Sequence, residues 1–324
     1  MTTKEILLDF LERNQGKYIS GQEIAEQLQL SRTSVWKAVK ALQQQGYPIQ
    51  AVSNKGYCLL EESDIFSVQG VQRYLSPLCA NFPIELLPVV SSTNTLLKEK
   101  AHDGAVHGSV LMASQQTGGK GRLGRRFFSP KDSGIYISLL LRPTGYFLQH
   151  PSLLTCVAGV ALCNAIHKVC QKSAQIKWVN DIFLEGKKVC GVLTEASFSL
   201  ENGQLDYVVV GAGINVYPPK EGFPAELQEV AGALLEHPIG NCKNQLAASF
   251  LNFFMEYYNK YQPQQIMEQY RNLSCVIGRE VLVVCPHTSY KAKVLDILSN
   301  GELLVQQEDG STQTLSSGEI SLRF

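Results

Sequence analysis

The clearest capacity for chemistry lies in residues 116–126, which read Gln-Thr-Gly-Gly-Lys-Gly-Arg-Leu-Gly-Arg-Arg. Four basic residues and four glycines share this stretch, in a chain whose 29 basic and 29 acidic residues balance. Glycine allows the backbone to approach a ligand closely, and lysine and arginine donate charge-assisted hydrogen bonds to anionic oxygens. The stretch therefore predicts a loop, called here the basic loop, that binds a polyphosphate or a phosphoanhydride.

Two familiar phosphate motifs fit this stretch poorly. Gly119, Gly121 and Gly124 match the spacing of the dinucleotide fingerprint, which needs a strand before it and a helix after it. A strand is predicted over 109–114, but a turn and a second strand over 134–141 follow, so no helix N-terminus is available for a pyrophosphate. A P-loop is excluded because no Gly-Lys-Ser/Thr occurs here. A solvated basic loop without a ligand remains the alternative.

Other polar residues fall where predicted strands of an α/β region end. Ser92, Thr93 and Asn94 lie between a predicted strand over 84–90 and a predicted helix over 95–101. Such residues are ordinary helix caps, and they equally suit the wall of a pocket. Asn180 and Asp181 occupy a corner between two short strands, and Asn215, which could hydrogen-bond a base edge or a sugar, follows another strand.

The composition is that of an ordinary soluble protein, with 44% hydrophobic and 18% charged residues. A length of 324 residues predicts two or three domains. Because the net charge is zero, any contact with DNA must come from a local patch. We find no apolar run that suits a bilayer span and no signal-peptide core.

Nine cysteines occur without a Cys-x-x-Cys pair, which argues against a zinc site. Cys156, Cys163 and Cys170 repeat every seven residues on a predicted helix, with His167 nearby. A metal-binding stripe is one interpretation, and small apolar core residues are the favoured one. Unpatterned cysteines in odd number indicate the reducing cytoplasm.

Residues 1–62 predict a winged helix-turn-helix. Apolar residues recur at helical spacing, Ser20 and Ser31 are candidate N-caps, and the third helix is expected over 32–45, with Trp36 among its apolar residues. A hairpin with its turn at 54–56 would form the wing.

The charge pattern of this region favours DNA. No acidic residue occurs over 31–60. Side chains near the start of a recognition helix enter the major groove. The wing adds one further basic residue, Lys55. The predicted DNA-binding residues are Arg32, Thr33, Ser34, Lys37 and Lys55. A winged helix that contacts only protein is the alternative.

The predicted fold class is α+β. After a short acidic linker, residues 66–273 form a mixed-sheet α/β domain. Residues 275–324 alternate in short strands with hairpin signals at Asn300-Gly301 and Asp309-Gly310, and they predict an SH3-like barrel.

Taken together, the motifs resemble the biotin–protein ligases that also repress the biotin operon. The shared segments, in chain order, are 92–94, 119–125 with 128–130, 177–181, 188–191 and 211–215. The winged helix and the C-terminal β region match the architecture of that family. The resemblance implies a catalytic domain of the biotin/lipoate-ligase type.

The resemblance also implies the reaction. Biotin and MgATP give biotinyl-5′-AMP and pyrophosphate, and biotin then passes to a lysine of a carboxylase acceptor domain, the biotin carboxyl carrier protein. The cofactors are thus ATP and Mg²⁺, with biotin as substrate and no dedicated protein metal site. The expected partners are the acceptor domain, operator DNA and a second copy of the chain once the adenylate is bound, with no membrane.

The same resemblance assigns the site residues. Lys188, Arg122 and Lys120 are the catalytic candidates. Biotin would be bound by Ser92, Thr93, Asn94, Gln116, Lys120, Gly121, Arg122 and Lys188. ATP or the adenylate would be bound by Arg122, Asn180, Asp181, Asn215 and Arg323, with Phe223 as the candidate that stacks on adenine.

Two other functions remain open. The larger domain of a pure transcription regulator would only sense a ligand, which the intact basic loop and Lys188 disfavour. A lipoate-type ligase would share the broad fold, but the winged helix and the form of the basic loop disfavour it.

Overall fold

The computed structural model describes residues 2–199, 203–284, 289–316 and 319–321. They belong to two compact units. The first comprises Met1–Tyr74 with His237–Ala248, and the second comprises Leu75–Glu236 with Ser249–Phe324. The predicted domain boundaries placed residues 237–248 in the catalytic domain, whereas here they belong to the N-terminal unit.

The first unit contains a helix-turn-helix followed by a two-stranded hairpin. Its elements are α1 (Thr3–Arg13), α2 (Gly21–Gln27), α3 (Arg32–Gln44), β1 (Ile49–Val52), β2 (Gly56–Leu59) and α4 (Val68–Gln72). Ser20 and Ser31 cap α2 and α3 by accepting a hydrogen bond from the backbone amide three residues later. Leu7, Ile24 and Leu42 lie at the centre of one apolar core. The predicted helices and wing are confirmed.

Trp36 departs from the sequence interpretation. Its apolar neighbours Val35 and Val39 are buried, whereas the Trp36 side chain is 51% exposed. The helical period explains the difference, because position 36 lies one residue beyond the buried stripe. Trp36 therefore shares the outer face of α3 with the basic side chains.

The second unit is built on a seven-stranded sheet. Its elements are β3 (Ile84–Leu87), α5 (Thr93–His102), β4 (Val110–Ala113), β5 (Gly134–Leu141), α6 (Tyr146–Gln149), α7 (Leu153–Cys170), β6 (Gln175–Lys177), β7 (Asp181–Leu184), β8 (Lys187–Phe198) and β9 (Leu205–Asn215). The strand order is β3-β4-β5-β9-β8-β7-β6. Only β3 and β4 pair in parallel, so the sheet is mixed, as predicted.

Strand β9 is longer than the pattern predicted. The apolar run over 207–210 predicts a strand of four residues that ends before Gly211, but Gly211 and Gly213 continue it and pair with Leu193 and Gly191 of β8. Glycine weakens a strand unless something must approach its backbone. The cross-strand pairing overrides the local preference here, and it creates a stretch of sheet with little side-chain cover.

Helix α7 is the apolar helix beneath this sheet. The sequence predicted no apolar run that suits a bilayer span, but by length and composition α7 would suit one, and 67% of it is buried inside the protein. Cys156 and Cys163 are buried in it, and among the described residues no group of three or more His, Cys, Asp or Glu is arranged to hold a metal ion. The helix therefore forms core together with Cys156 and Cys163, while Cys170 at its end is only half-buried.

The chain ends in two helices and a second sheet. These elements are α8 (Cys242–Asn259), α9 (Pro263–Leu273), β10 (Glu280–Val284), β11 (Ser289–Ile297), β12 (Leu303–Gln307), β13 (Thr312–Leu315) and β14 (Glu319–Ser321). The five strands are antiparallel in the order β13-β12-β11-β10-β14. Gly301 and Gly310 have φ of 84° at the predicted turns.

Candidate active site

A cavity of about 510 Å³ in the second unit collects the predicted ligand-binding residues. The basic loop, the start of α5, the β6–β7 corner and strands β8 and β9 contribute to it. The predicted residues that line it are Ser92, Thr93, Asn94, Gln116, Lys120, Gly121, Arg122, Asn180, Asp181, Lys188, Asn215 and Phe223. Arg323 lies outside the described residues.

The floor of the cavity is a part of the sheet formed by glycines, and the ring of Phe127 lies against it. Gly191 and Gly213 are cross-strand partners, and both approach Phe127. A Cβ on Gly213 would lie 2.4 Å from the Phe127 ring, and one on Gly191 would lie 3.2 Å from it. A side chain at Gly213 would therefore displace the ring. The floor suits a flat apolar ligand body.

One end of the cavity carries a network of polar side chains that are hydrogen-bonded to one another. The backbone amide and hydroxyl of Thr93 donate to Gln116 Oε1 at 2.8 and 3.1 Å, and Gln116 Nε2 donates to Ser129 Oγ at 3.0 Å. The buried Ser138 hydroxyl lies 2.8 Å from Thr93 Oγ1 and 2.6 Å from Asn94 Oδ1. These contacts fix the side chains before any ligand arrives. Ser92, in contrast, caps α5.

Glu195 extends this network, and the sequence did not single it out. Its carboxylate accepts from Asn94 Nδ2 at 2.9 Å and pairs with Lys98 Nζ at 2.5 Å. Burial alone would raise the pKa of Glu195, but the hydrogen bonds from Lys98 and Asn94 outweigh it and hold the pKa below its ordinary value. Glu195 thus stays charged and orients the Asn94 amide. Its position in the middle of a long strand gave no signal in the sequence.

The middle of the cavity carries an ion pair. Lys188 Nζ lies 2.6 Å from Asp181 Oδ1, and it also lies 5.9 Å from the centre of the Phe127 ring. Strands β7 and β8 bring the two charges together, with a register shift between Ile182 and Phe183. Both side chains are partly exposed to the cavity, so the ammonium can also face an anion.

The corner beyond Lys188 is fixed by amide contacts. Asn180 Nδ2 donates to Val192 O at 2.8 Å, and Arg122 Nη1 donates to Asn180 Oδ1 at 3.4 Å. On the neighbouring strand, Asn215 Nδ2 donates to Gly232 O at 3.0 Å. The corner and the basic loop are therefore in contact.

The basic loop forms a flap that is tied at its base. Phe127 N donates to Gly119 O at 2.9 Å, and Gly121 N donates to Arg125 O at 2.7 Å. The tip is a 3₁₀ turn over Arg122–Gly124, in which Leu123 is 76% exposed. A second cavity of about 500 Å³ lies between the loop and Glu195. The flap therefore borders both cavities. At the rim, Phe128 and Phe223 face each other with ring centres 6.5 Å apart.

The first unit carries the predicted DNA-binding residues on its surface. Arg32, Thr33, Lys37 and Lys55 are exposed. Ser34 is different, since its amide and hydroxyl both contact Ser31 Oγ as part of the α3 cap, at 3.0 and 2.8 Å.

Comparisons with known proteins cover the whole chain. Residues 4–58 match the HTH domain, 86–215 the biotin/lipoate A/B protein ligase family, and 276–323 the biotin protein ligase C-terminal domain. The bifunctional ligase/repressor BirA of Bacillus subtilis is 30% identical over 99% of both chains. The chain belongs to the family of the bifunctional ligase/repressor BirA. The Escherichia coli member is 27% identical over 95% of this chain and 94% of its own.

A solved structure places the family fold on the larger part of the chain. The biotin protein ligase from Aquifex aeolicus, in complex with biotin and ATP, is 27% identical with a TM-score of 0.60. It covers 74% of this chain and 98% of its own. A family member thus has a ligase-type fold without the equivalent of about a quarter of this chain.

Proposed function

We propose that the protein is an ATP-dependent biotin–protein ligase that is also a biotin-responsive repressor. The ligase forms biotinyl-5′-AMP and transfers biotin to a lysine of a carboxylase acceptor domain. The observation that carries this proposal is the position of Lys188, which lines the same cavity as the glycine floor and the basic loop.

Biotin occupies the end of the cavity with the fixed polar network. Thr93, Asn94 and Gln116 present hydrogen-bonding groups to the polar ring of biotin, while its apolar body lies on the floor beside Phe127. This arrangement directs the biotin carboxylate toward Lys188 and the loop residues Lys120 and Arg122.

ATP occupies the opposite end, beside Asn180, Asp181 and Asn215. Phe223 stacks on adenine, and Arg323 assists from the C-terminus. A magnesium ion bound with the nucleotide would neutralise phosphate charge, and such an ion needs few protein ligands. Asp181 would hold this ion, because it is a carboxylate on the cavity wall with one oxygen engaged by Lys188.

The chemistry follows from charge. A carboxylate oxygen of biotin attacks the α-phosphorus of ATP, the bond to the β-phosphate oxygen breaks, and pyrophosphate leaves. Both reactants are anions, so Lys188, Lys120 and Arg122 reduce their repulsion and stabilise the transition state, an effect of about 3–4 kcal/mol for one well-placed donor. The acceptor lysine amine then attacks the biotin carbonyl carbon and AMP leaves with the bonding electrons. The basic loop excludes water from the anhydride meanwhile.

The first unit connects the reaction to DNA. Adenylate binding promotes a homodimer, and the paired winged helices bind a two-part operator through Arg32, Thr33, Ser34, Lys37 and Lys55. The protein acts in the cytoplasm, and its C-terminal strands close as an SH3-like barrel.

Biotin-dependent exchange of pyrophosphate into ATP tests the proposal most directly. We expect exchange with biotin, ATP and magnesium, followed by labelling of a biotin acceptor domain. Biotin binding without exchange would favour a sensor, and preference for lipoate would favour the lipoate-type ligases.

A further inference from the structure

The turn between β6 and β7 carries Asn180 and Asp181 into the cavity. Lys177 pairs with Asp181, so only Trp178, Val179 and Asn180 form the turn. The two strands have three and four residues, and β6 is the edge of the sheet. A hairpin this short is not stable by itself. Its geometry must be set by contacts from outside.

One of those contacts comes from α9. Tyr270 is fully buried, and its hydroxyl donates to Val179 O at 2.8 Å. The ring packs against α7, where a Cβ on Gly159 would lie 3.6 Å from it. Burial raises the pKa of Tyr270 well above its ordinary value, so the hydroxyl keeps its proton and remains a donor.

Another contact comes from the C-terminal sheet. Trp178 Nε1 donates to Gly301 O, at the tip of the β11–β12 turn, at 2.9 Å. The tip itself is confined, because a Cβ on Gly301 would lie 3.1 Å from Cys156 Sγ and 3.3 Å from Leu153 Cδ2 on α7. The left-handed φ of 84° at this residue also favours glycine. The acceptor carbonyl is therefore held in place.

The edge strand is fastened to the same region of the chain. Cys275 N donates to Ile176 O at 2.9 Å, directly before the turn. Arg271 Nε donates to Ile297 O at 2.6 Å, which ties α9 to β11. Helix α9 and the C-terminal sheet thus form one support on the outer side of the turn.

We propose that Tyr270 and Trp178 are positioning residues for the ATP half-reaction. They fix the β6–β7 turn against α9 and the C-terminal sheet, and through it the placement of Asn180 and Asp181. This inference rests on the proposed assignment of Asn180 and Asp181 to the nucleotide. The C-terminal sheet then contributes to catalysis indirectly, because none of its described residues lines the cavity.

The test removes each donor and keeps an aromatic ring at each position. We expect Tyr270→Phe and Trp178→Phe to raise the KM for ATP about tenfold, since small displacements of positioning groups are costly. The Kd of biotin, measured by calorimetry without ATP, should rise much less than the KM for ATP, because Thr93, Asn94 and Gln116 are fixed by a network that does not include the turn. Tyr257→Phe, which loses a hydroxyl bonded to Asn164, and Trp36→Phe are the matched controls.

A double-mutant cycle with Asp181→Asn shows whether the effect runs through the turn. If it does, Tyr270→Phe added to Asp181→Asn raises the KM for ATP by much less than the product of the single effects. Full multiplicativity, or an equal rise in biotin Kd and ATP KM, would overturn the inference. If Asp181→Asn itself leaves the KM for ATP unchanged, it is the nucleotide assignment that fails.

Discussion

Lys188 is the residue on which the proposed chemistry depends most. It is paired with Asp181 at 2.6 Å and still faces the cavity, so it can move from a protein anion to a substrate anion without being uncovered. A buried, fully satisfied lysine would have to break contacts first. The pairing keeps the ammonium in place between turnovers.

Lys188→Ala should therefore abolish activation while the fold persists. Loss of one cationic donor in an enclosed site predicts a fall of roughly 100-fold or more in the rate of pyrophosphate exchange. Lys187→Ala is the matched control, because the neighbouring ammonium donates to Gln228 O at the surface. An exchange rate within about threefold of that of the unaltered protein would correspond to a change of about 1 kcal/mol or less in the activation free energy. Such a rate would show that another residue activates biotin.

Glu12 is a residue whose charge opposes folding. It is buried in the first unit, where Ser67 Oγ donates to it at 2.9 Å. Burial raises its pKa to about 7, although the Ser67 hydrogen bond and the charge of Arg73 lower it. The folded state therefore holds a proton that the unfolded state releases from pH 4.5 upward. The stability that comes from protonated Glu12 is fully present below pH 4.5 and is lost as the pH rises to about 7.

The expected decline is on the order of 3 kcal/mol across that window. Glu12→Gln should remove it and stabilise the first unit above pH 7. Hydrogen exchange of peptides from α1 and α3 at several pH values measures the effect, with the exposed Glu26→Gln as control. A pH profile that is the same with and without Glu12 would contradict the assignment.

The basic loop acts as an element, since its two ends are tied and its tip is exposed. Arg122 connects the tip to Asn180 at 3.4 Å, which is a weak contact that a ligand can replace or strengthen. Closure over the adenylate would then depend on this side chain more than on the glycines.

Arg122→Gly should accelerate release of biotinyl-5′-AMP. Loss of a charge-assisted contact predicts an increase of about tenfold or more in the dissociation rate, measured by stopped-flow fluorescence with an excess of competitor. Lys131→Ala removes an exposed cation outside the cavity and should leave release unchanged. Equal release rates in both variants would remove the loop from the covering role.

Helix α3 and the wing form the second functional element. The outer face of α3 presents Arg32 and Lys37 beside the exposed Trp36. Lys37→Ala should weaken binding to any DNA duplex and reduce the slope of log K against log salt by about 1. Lys4→Ala on α1 is the control. An unchanged slope for Lys37→Ala would place the DNA surface elsewhere.

At the scale of the whole molecule, the chain is less modular than its sequence indicates. Residues 237–248 follow the catalytic strands but belong to the first unit, where Asn244 bonds both Ser67 N and Ile65 O.

Deletion of residues 1–62 should abolish operator binding and preserve biotin transfer, while lowering the melting temperature. Gel shift and acceptor labelling measure the two activities. Retained operator binding would show that residues 1–62 are not the DNA-binding module.

Local patterns predicted the helices, the wing, the mixed sheet and the polar residues of the cavity, because capping, periodicity and turn chemistry act over a few residues. They did not predict the length of β9, the exposure of Trp36 or the contributions of Glu195 and Tyr270. Those features depend on partners far along the chain. Val179 O and Tyr270, for example, are 91 residues apart.

The two tryptophans of the chain fall in different units and in opposite surroundings. Trp36 is 51% exposed on α3, and Trp178 is 4% exposed at the β6–β7 turn. Their fluorescence should therefore differ in emission wavelength and in access to a soluble quencher. Each unit carries its own optical reporter, so DNA engagement and nucleotide binding can be followed separately in one unlabelled sample.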